Sequence, residues 1–128
     1  MHNPYEAYKR QSVMTMTGGD MINLLFDTAI KRLNEGIQCI EQKDYEGCNT
    51  AFRKAQDIFT YLEASLDKKY EISGNLASLY EFFKHSILQA NIKKETTQIL
   101  EILPMIEELR DSFKQADKQT RMNRKESL

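Results

Sequence analysis

Leu76-Ala-Ser-Leu-Tyr-Glu-Phe-Phe-Lys-His-Ser-Ile-Leu-Gln-Ala-Asn91 places an apolar residue at every third or fourth position. At about 100° per residue this is the pattern of an amphipathic helix, with Leu76, Leu79, Tyr80, Phe83, Ile87 and Ala90 on one stripe. Phe82 and Leu88 fall roughly 120° to either side of that stripe. The helix therefore has more apolar surface than one core-facing side requires. Two readings remain open: the surplus awaits a partner, or a neighbouring helix or the N-terminal segment covers it.

Working outward, the same periodicity recurs three more times. A first helix opens at Thr17, whose hydroxyl caps it with Asp20 three residues later as a variant of the capping box. Its stripe is Ile22, Leu25, Phe26, Ala29, Leu33, Ile37 and Ile40, and Gln42-Lys43 closes it. Asp44 is a good N-cap for a second helix. That helix carries Tyr45, Cys48, Phe52, Ala55, Phe59, Leu62 and Leu66 on one face, with Ile58 and Tyr61 off it. After a polar link through Lys68 and Lys69, the third helix spans about Ile72 to Asn91. The fourth runs from about Glu95 to Ala116, with Ile99, Ile102, Ile106, Leu109, Phe113 and Ala116 as its core face. Pro104 predicts a kink in it, because proline cannot donate to the carbonyl of Leu100 and its ring crowds that turn. The alternative is a break at Leu103 with Pro104 starting a new helix.

Four helices of this length with short links predict an all-α fold, an antiparallel up-down-up-down four-helix bundle over residues 17–116. Residues 1–16 form an arm with apolar anchors at Tyr5, Tyr8 and Val13 but no helical stripe, expected to dock or stay loose. Residues 117–128 carry Lys118, Arg121, Arg124 and Lys125 with almost nothing apolar, and read as a flexible polar tail.

Composition fits one small domain: 128 residues, 41% hydrophobic, 29% charged and a net charge of −1. Near-neutral charge argues against nucleic acid as the main partner. No apolar run approaches the roughly 20 residues of a membrane span, and Met-His-Asn-Pro-Tyr lacks the features of a signal peptide. A cytoplasmic protein is expected, with Cys39 and Cys48 reduced and acting as small apolar side chains.

A search for chemistry returns little. His2 and His85 have no cysteine or second histidine at ligand spacing, so no metal site is indicated. Gly18-Gly19 is an isolated pair without the strand and Lys-Ser/Thr of a phosphate loop; it can bind an anion at a helix start, and helix geometry explains it equally well. No catalysis and no cofactor are expected. The candidate partner-binding residues are the off-stripe Ile58, Tyr61, Phe82 and Leu88, together with Leu62 and Leu79, and the arm residues Tyr5, Tyr8 and Val13.

Further motifs carry a family resemblance. Asn3-Pro4-Tyr5-x-x-Tyr8 and Val13-x-Thr15 are followed by Thr17-Gly-Gly-Asp20-Met-Ile-x-Leu-Leu-Phe-Asp27-x-Ala29. Then come Lys54-Ala55-Gln56-x-Ile58, Leu62-x-x-Ser65-Leu66-Asp67, Asn75-Leu76-x-x-Leu79-Tyr80, Gln89-Ala90-Asn91 and Leu109-Arg110-Asp111. In order and spacing this chain resembles the flagellar export chaperones of the FliS family, from residue 3 to about 116. Gly18 stands where that family usually has proline, Phe26 where it often has tyrosine and Phe113 where it often has tryptophan; Pro104 departs from its pattern. The resemblance implies a cytoplasmic four-helix bundle around which the C-terminal segment of flagellin wraps in extended and short helical pieces. Covering that segment prevents premature polymerisation, keeps the subunit competent for type III export and lets the pair dock on the flagellar export gate. A monomer or weak homodimer is expected. The rival class is a helical-bundle regulator of another protein, or a structural subunit whose surplus face is buried in a homodimer.

Overall fold

Asp44 starts a helix as its side chain predicts, accepting from the backbone N–H of Gly47 at 3.0 Å. The computed structural model describes residues 18–126, with side chains described through Asn123, so the expected cap at Thr17 lies outside the described residues. Four helices follow one another with no strand among the described residues: α1 Gly18–Glu41, α2 Tyr45–Ala64, α3 Ile72–Lys93 and α4 Thr97–Glu126.

The tight links between α1 and α2 and between α3 and α4 share one device. Lys43 and Lys94 adopt left-handed backbone, with φ of 59° and 55°. Lys43 N–H donates to the Ile40 carbonyl at 3.0 Å and Asp44 N–H to that of Cys39 at 2.8 Å, while Glu95 N–H reaches the Ala90 carbonyl at 3.2 Å. These bonds satisfy carbonyls that a helix end leaves free, in the manner usually served by glycine.

The predicted stripes converge on one core. Phe26, Leu33, Phe52, Phe59, Tyr80, Phe83, Ile87, Ile99, Ile102 and Ile106 are all buried, each contributing on the order of 1.5–3 kcal/mol. Phe59 packs against Phe83 at 5.4 Å and Tyr80 at 6.1 Å between ring centroids. Tyr45 and Ala116, expected in the core, are exposed, and Leu103 and Ala51, outside the stripes, are buried. Gly36 is also buried, because a Cβ there would lie 2.1 Å from Cε1 of Phe52. Its missing side chain sets the spacing of α1 and α2.

Contacts join α1 to α2, α2 to α3, α3 to α4 and α4 back to α1, closing a ring of four. Numbers rise along α1 as they fall along α4: Asp20 meets Arg121, Phe26 stacks on Phe113 at 5.4 Å and Asp27 meets Arg110. The same inversion relates α2 to α3, through Asn49 with Asn91 and Gln56 with Lys84. This register is compatible with the expected up-down order.

Along α4, one alternative of the sequence reading is decided and one boundary differs. The helix runs unbroken through Pro104, which lies on the exposed face, so no restart occurs there. It also continues past Ala116, where the sequence reading ended it, to Glu126. Gln, Lys, Arg and Met are good helix formers, no glycine or proline interrupts them, and Asp117 pairs with Arg121 one turn on at 3.3 Å.

Candidate partner-binding surface

The four seams between helices differ in chemistry, and the difference follows from which side chains flank each core stripe. On α2, positions 49, 56 and 63 recur at heptad spacing and face α3. Asn49 Oδ1 accepts from Asn91 Nδ2 at 2.8 Å, Gln56 Nε2 donates to the Lys84 carbonyl at 3.3 Å, and Glu63 Oε2 lies 2.7 Å from Lys84 Nζ. Lys84 also pairs with Glu81 at 2.8 Å. The hydrogen bonds to Glu63 and Glu81 push the Lys84 ammonium above its ordinary range, and the bond from Lys84 holds the Glu81 carboxyl below its own. The α1/α4 seam is crossed by ion pairs: Asp20 with Arg121 at 2.7 Å, and Asp27 with Arg110 at 3.2 Å and Lys114 at 3.7 Å.

The other two seams have apolar margins. On α2, Ile58 and Tyr61 lie roughly 140–160° around the helix from Gln56, on the flank toward α1, where Leu25 is half-buried. On α3, Phe82 lies roughly 160° from Lys84 and 180° from Asn91, on the flank toward α4, with half-buried Leu79 beside it. Met105 flanks α4 on the side away from its α1-facing Arg110, Asp117 and Arg121. Tyr61 is 56% exposed, Phe82 47% and Met105 40%, so each margin presents large apolar side chains to solvent.

The structure therefore separates residues that the sequence grouped. Ile58 and Tyr61 border the α1/α2 seam and Phe82 and Leu79 the α3/α4 seam, on opposite sides of the ring. Leu88, exposed, belongs to a third place, the α2-facing flank of α3, with Ile92 one turn beyond. Leu62 is only 3% exposed and is a core residue, because it continues the stripe of Ala55 and Phe59. Tyr5, Tyr8 and Val13 lie outside the described residues. Met105, Leu24 and Ile92 were missed, although the rule that singled out Phe82, an apolar residue off its stripe, applies to them too.

Reactive groups do not converge beside these margins. Among the described residues no three His, Cys, Asp or Glu side chains are arranged to hold a metal ion, and no helix is long and apolar enough to cross a membrane. Cys39 and Cys48 are free thiols. Burial pushes both thiols up from their usual range, with Asp44 adding to the effect at Cys39. Burial likewise pushes the Tyr80 phenol up to about 12.

A ring of four helices with a closed apolar core, polar pairs across two seams and large exposed apolar side chains along its flanks defines an all-helical bundle domain. Its particular family is shown by similarity: residues 1–120 match the family described as Flagellar protein FliS, and the chain belongs to that family. It is similar to Flagellar secretion chaperone FliS of Bacillus subtilis (strain 168), 33% identical over 97% of this chain and 93% of the relative. It is also similar to the chaperones of that name from Salmonella typhimurium (strain LT2), 31% identical over 81% of this chain and 79% of the relative, and from Vibrio cholerae, 27% identical over 90% and 89%.

Proposed function

We propose that this protein is a cytoplasmic, non-enzymatic export chaperone that binds the C-terminal segment of flagellin, prevents its premature polymerisation and assists its secretion by the flagellar export apparatus. The observation that carries this reading is the pair of apolar margins, bordered by Tyr61 and Phe82, on opposite sides of one FliS-family ring of helices. An antiparallel up-down-up-down bundle puts these margins far enough apart that one short helix cannot cover both. A long segment passing around the bundle can, burying short amphipathic pieces on each margin in turn. Ordering such a chain on binding lowers net affinity while keeping the contact specific.

Calorimetry of this protein with full-length flagellin, and with flagellin lacking its C-terminal segment, tests the reading. One-to-one binding that disappears with the truncation is the expected result. Absence of heat at tens of micromolar, about 6–7 kcal/mol of binding free energy, refutes it. Docking of the loaded chaperone on the export gate is part of the same proposal and is read by capture of the gate's cytoplasmic domain with and without cargo.

A further inference from the structure

Past Phe113, α4 has little apolar surface with which to hold itself to the bundle. Phe113 is half-buried against Phe26, and from Lys114 to Asn123 the described side chains are exposed apart from half-buried Asp117. Charge takes over. Arg121 Nη2 donates to Asp20 Oδ1 at 2.7 Å while its Nε lies 3.3 Å from Asp117 Oδ2, and Lys114 Nζ lies 3.7 Å from Asp27 Oδ2. The Asp117 carboxylate rests on the first turn of α1 so closely that a Cβ at Gly19 would lie 2.0 Å from Oδ1. Helix starts carry free N–H groups and partial positive charge, which favour a carboxylate there. Glycine at position 19 is what admits it.

We propose that the C-terminal turns of α4, from Lys114 onward, are an electrostatic latch on the start of α1, which opens without unfolding the rest of the bundle. Its members are Asp117, Arg121 and Lys114 on α4 and Gly19, Asp20 and Asp27 on α1. Exposed ion pairs contribute little singly and are screened by salt, and a helical segment lacking tertiary apolar contacts is marginal. These turns are therefore the part of α4 that opens at least cost, while Ile99 to Ile106 remain in the core. Opening frees the first turn of α1 from the Asp117 and Arg121 side chains that rest on it. The latch is independent of the cargo reading.

Amide hydrogen exchange of the full chain without cargo tests it. Raising salt from about 0.01 M to about 1 M shortens the screening length from about 30 to about 3 Å. Peptides covering residues 114–123 are expected to exchange roughly fivefold faster in high salt, as the loss of about 1 kcal/mol implies, with peptides of α2 and α3 unchanged. Asp20→Asn and Arg121→Gln should each reproduce the faster exchange at low salt, and Gly19→Ala should do so by wedging Asp117 away. Equal exchange of 114–123 at both salt concentrations, a response from only one partner of the Asp20–Arg121 pair, or an increase spread uniformly over all four helices overturns the latch.

Discussion

Replacing Gly36 with alanine is a one-atom test of how closely α1 and α2 approach. The added Cβ would lie 2.1 Å from Cε1 and 2.5 Å from Cδ1 of Phe52, whereas non-bonded carbons rest about 3.5–4.0 Å apart. The ring must therefore retreat by roughly 1.5 Å. It has nowhere to go, since Phe52 is 0% exposed and packed within the core. Alanine recovers about 1 kcal/mol of helix propensity lost to glycine, but overpacking a core costs about 1–3 kcal/mol, and partial expulsion of the ring forfeits part of the roughly 1.5–3 kcal/mol of its burial. We expect a net destabilisation of about 1–3 kcal/mol, read as a lower urea midpoint with an unchanged slope. Phe52→Leu should destabilise the native protein yet relieve Gly36→Ala, so the double mutant should show a favourable coupling of about 1 kcal/mol or more. A Gly36→Ala protein as stable as the parent, or more so, would mean that α1 and α2 are not held at this spacing, and the argument from Gly36 would fail.

Other perturbations separate surface from core. Phe82→Ser and Tyr61→Ser should each weaken flagellin binding by about 1–3 kcal/mol while changing stability by less than about 1 kcal/mol; because they border opposite margins, their losses should add in calorimetry, and a strong coupling would show a single shared groove instead. Leu62→Ala should cost about 2–5 kcal/mol of stability in denaturant titration, as a core truncation does; retained stability with lost binding would return Leu62 to the cargo surface. Raising pH should weaken the fold between pH 10 and about 12, since Tyr80 keeps its proton in the folded state up to about 12 but releases it near 10 when unfolded. The contribution is whole below pH 10 and shrinks above it, and Tyr80→Phe should flatten this part of the stability profile. Lys43→Gly should raise stability by up to about 1 kcal/mol in thermal melts by relieving a left-handed lysine at a helix end.

The number and type of the described helices and nearly every core-facing side chain among them are local properties of the sequence. A 3.6-residue period needs only neighbouring residues, so Tyr80, Phe83 and Ile87 can be assigned to one stripe without knowing what they touch. The surplus at Phe82 is legible for the same reason, and the ordered FliS motifs are visible in the linear chain. Periodicity carries no information about which flank of a helix meets which neighbour. Tyr61 and Phe82 are both off-stripe, but the cyclic order of the ring sends one to the α1/α2 margin and the other to the α3/α4 margin. Leu62, on the core stripe of α2, needed no tertiary information to be placed inside. The end of α4 divides in the same way: the Asp117–Arg121 pair is a one-turn spacing readable from the chain, whereas Asp20 meets Arg121 across 101 positions. Only the folded arrangement of α1 and α4 brings those charges within 2.7 Å, because Coulomb attraction depends on distance in space rather than on separation along the chain.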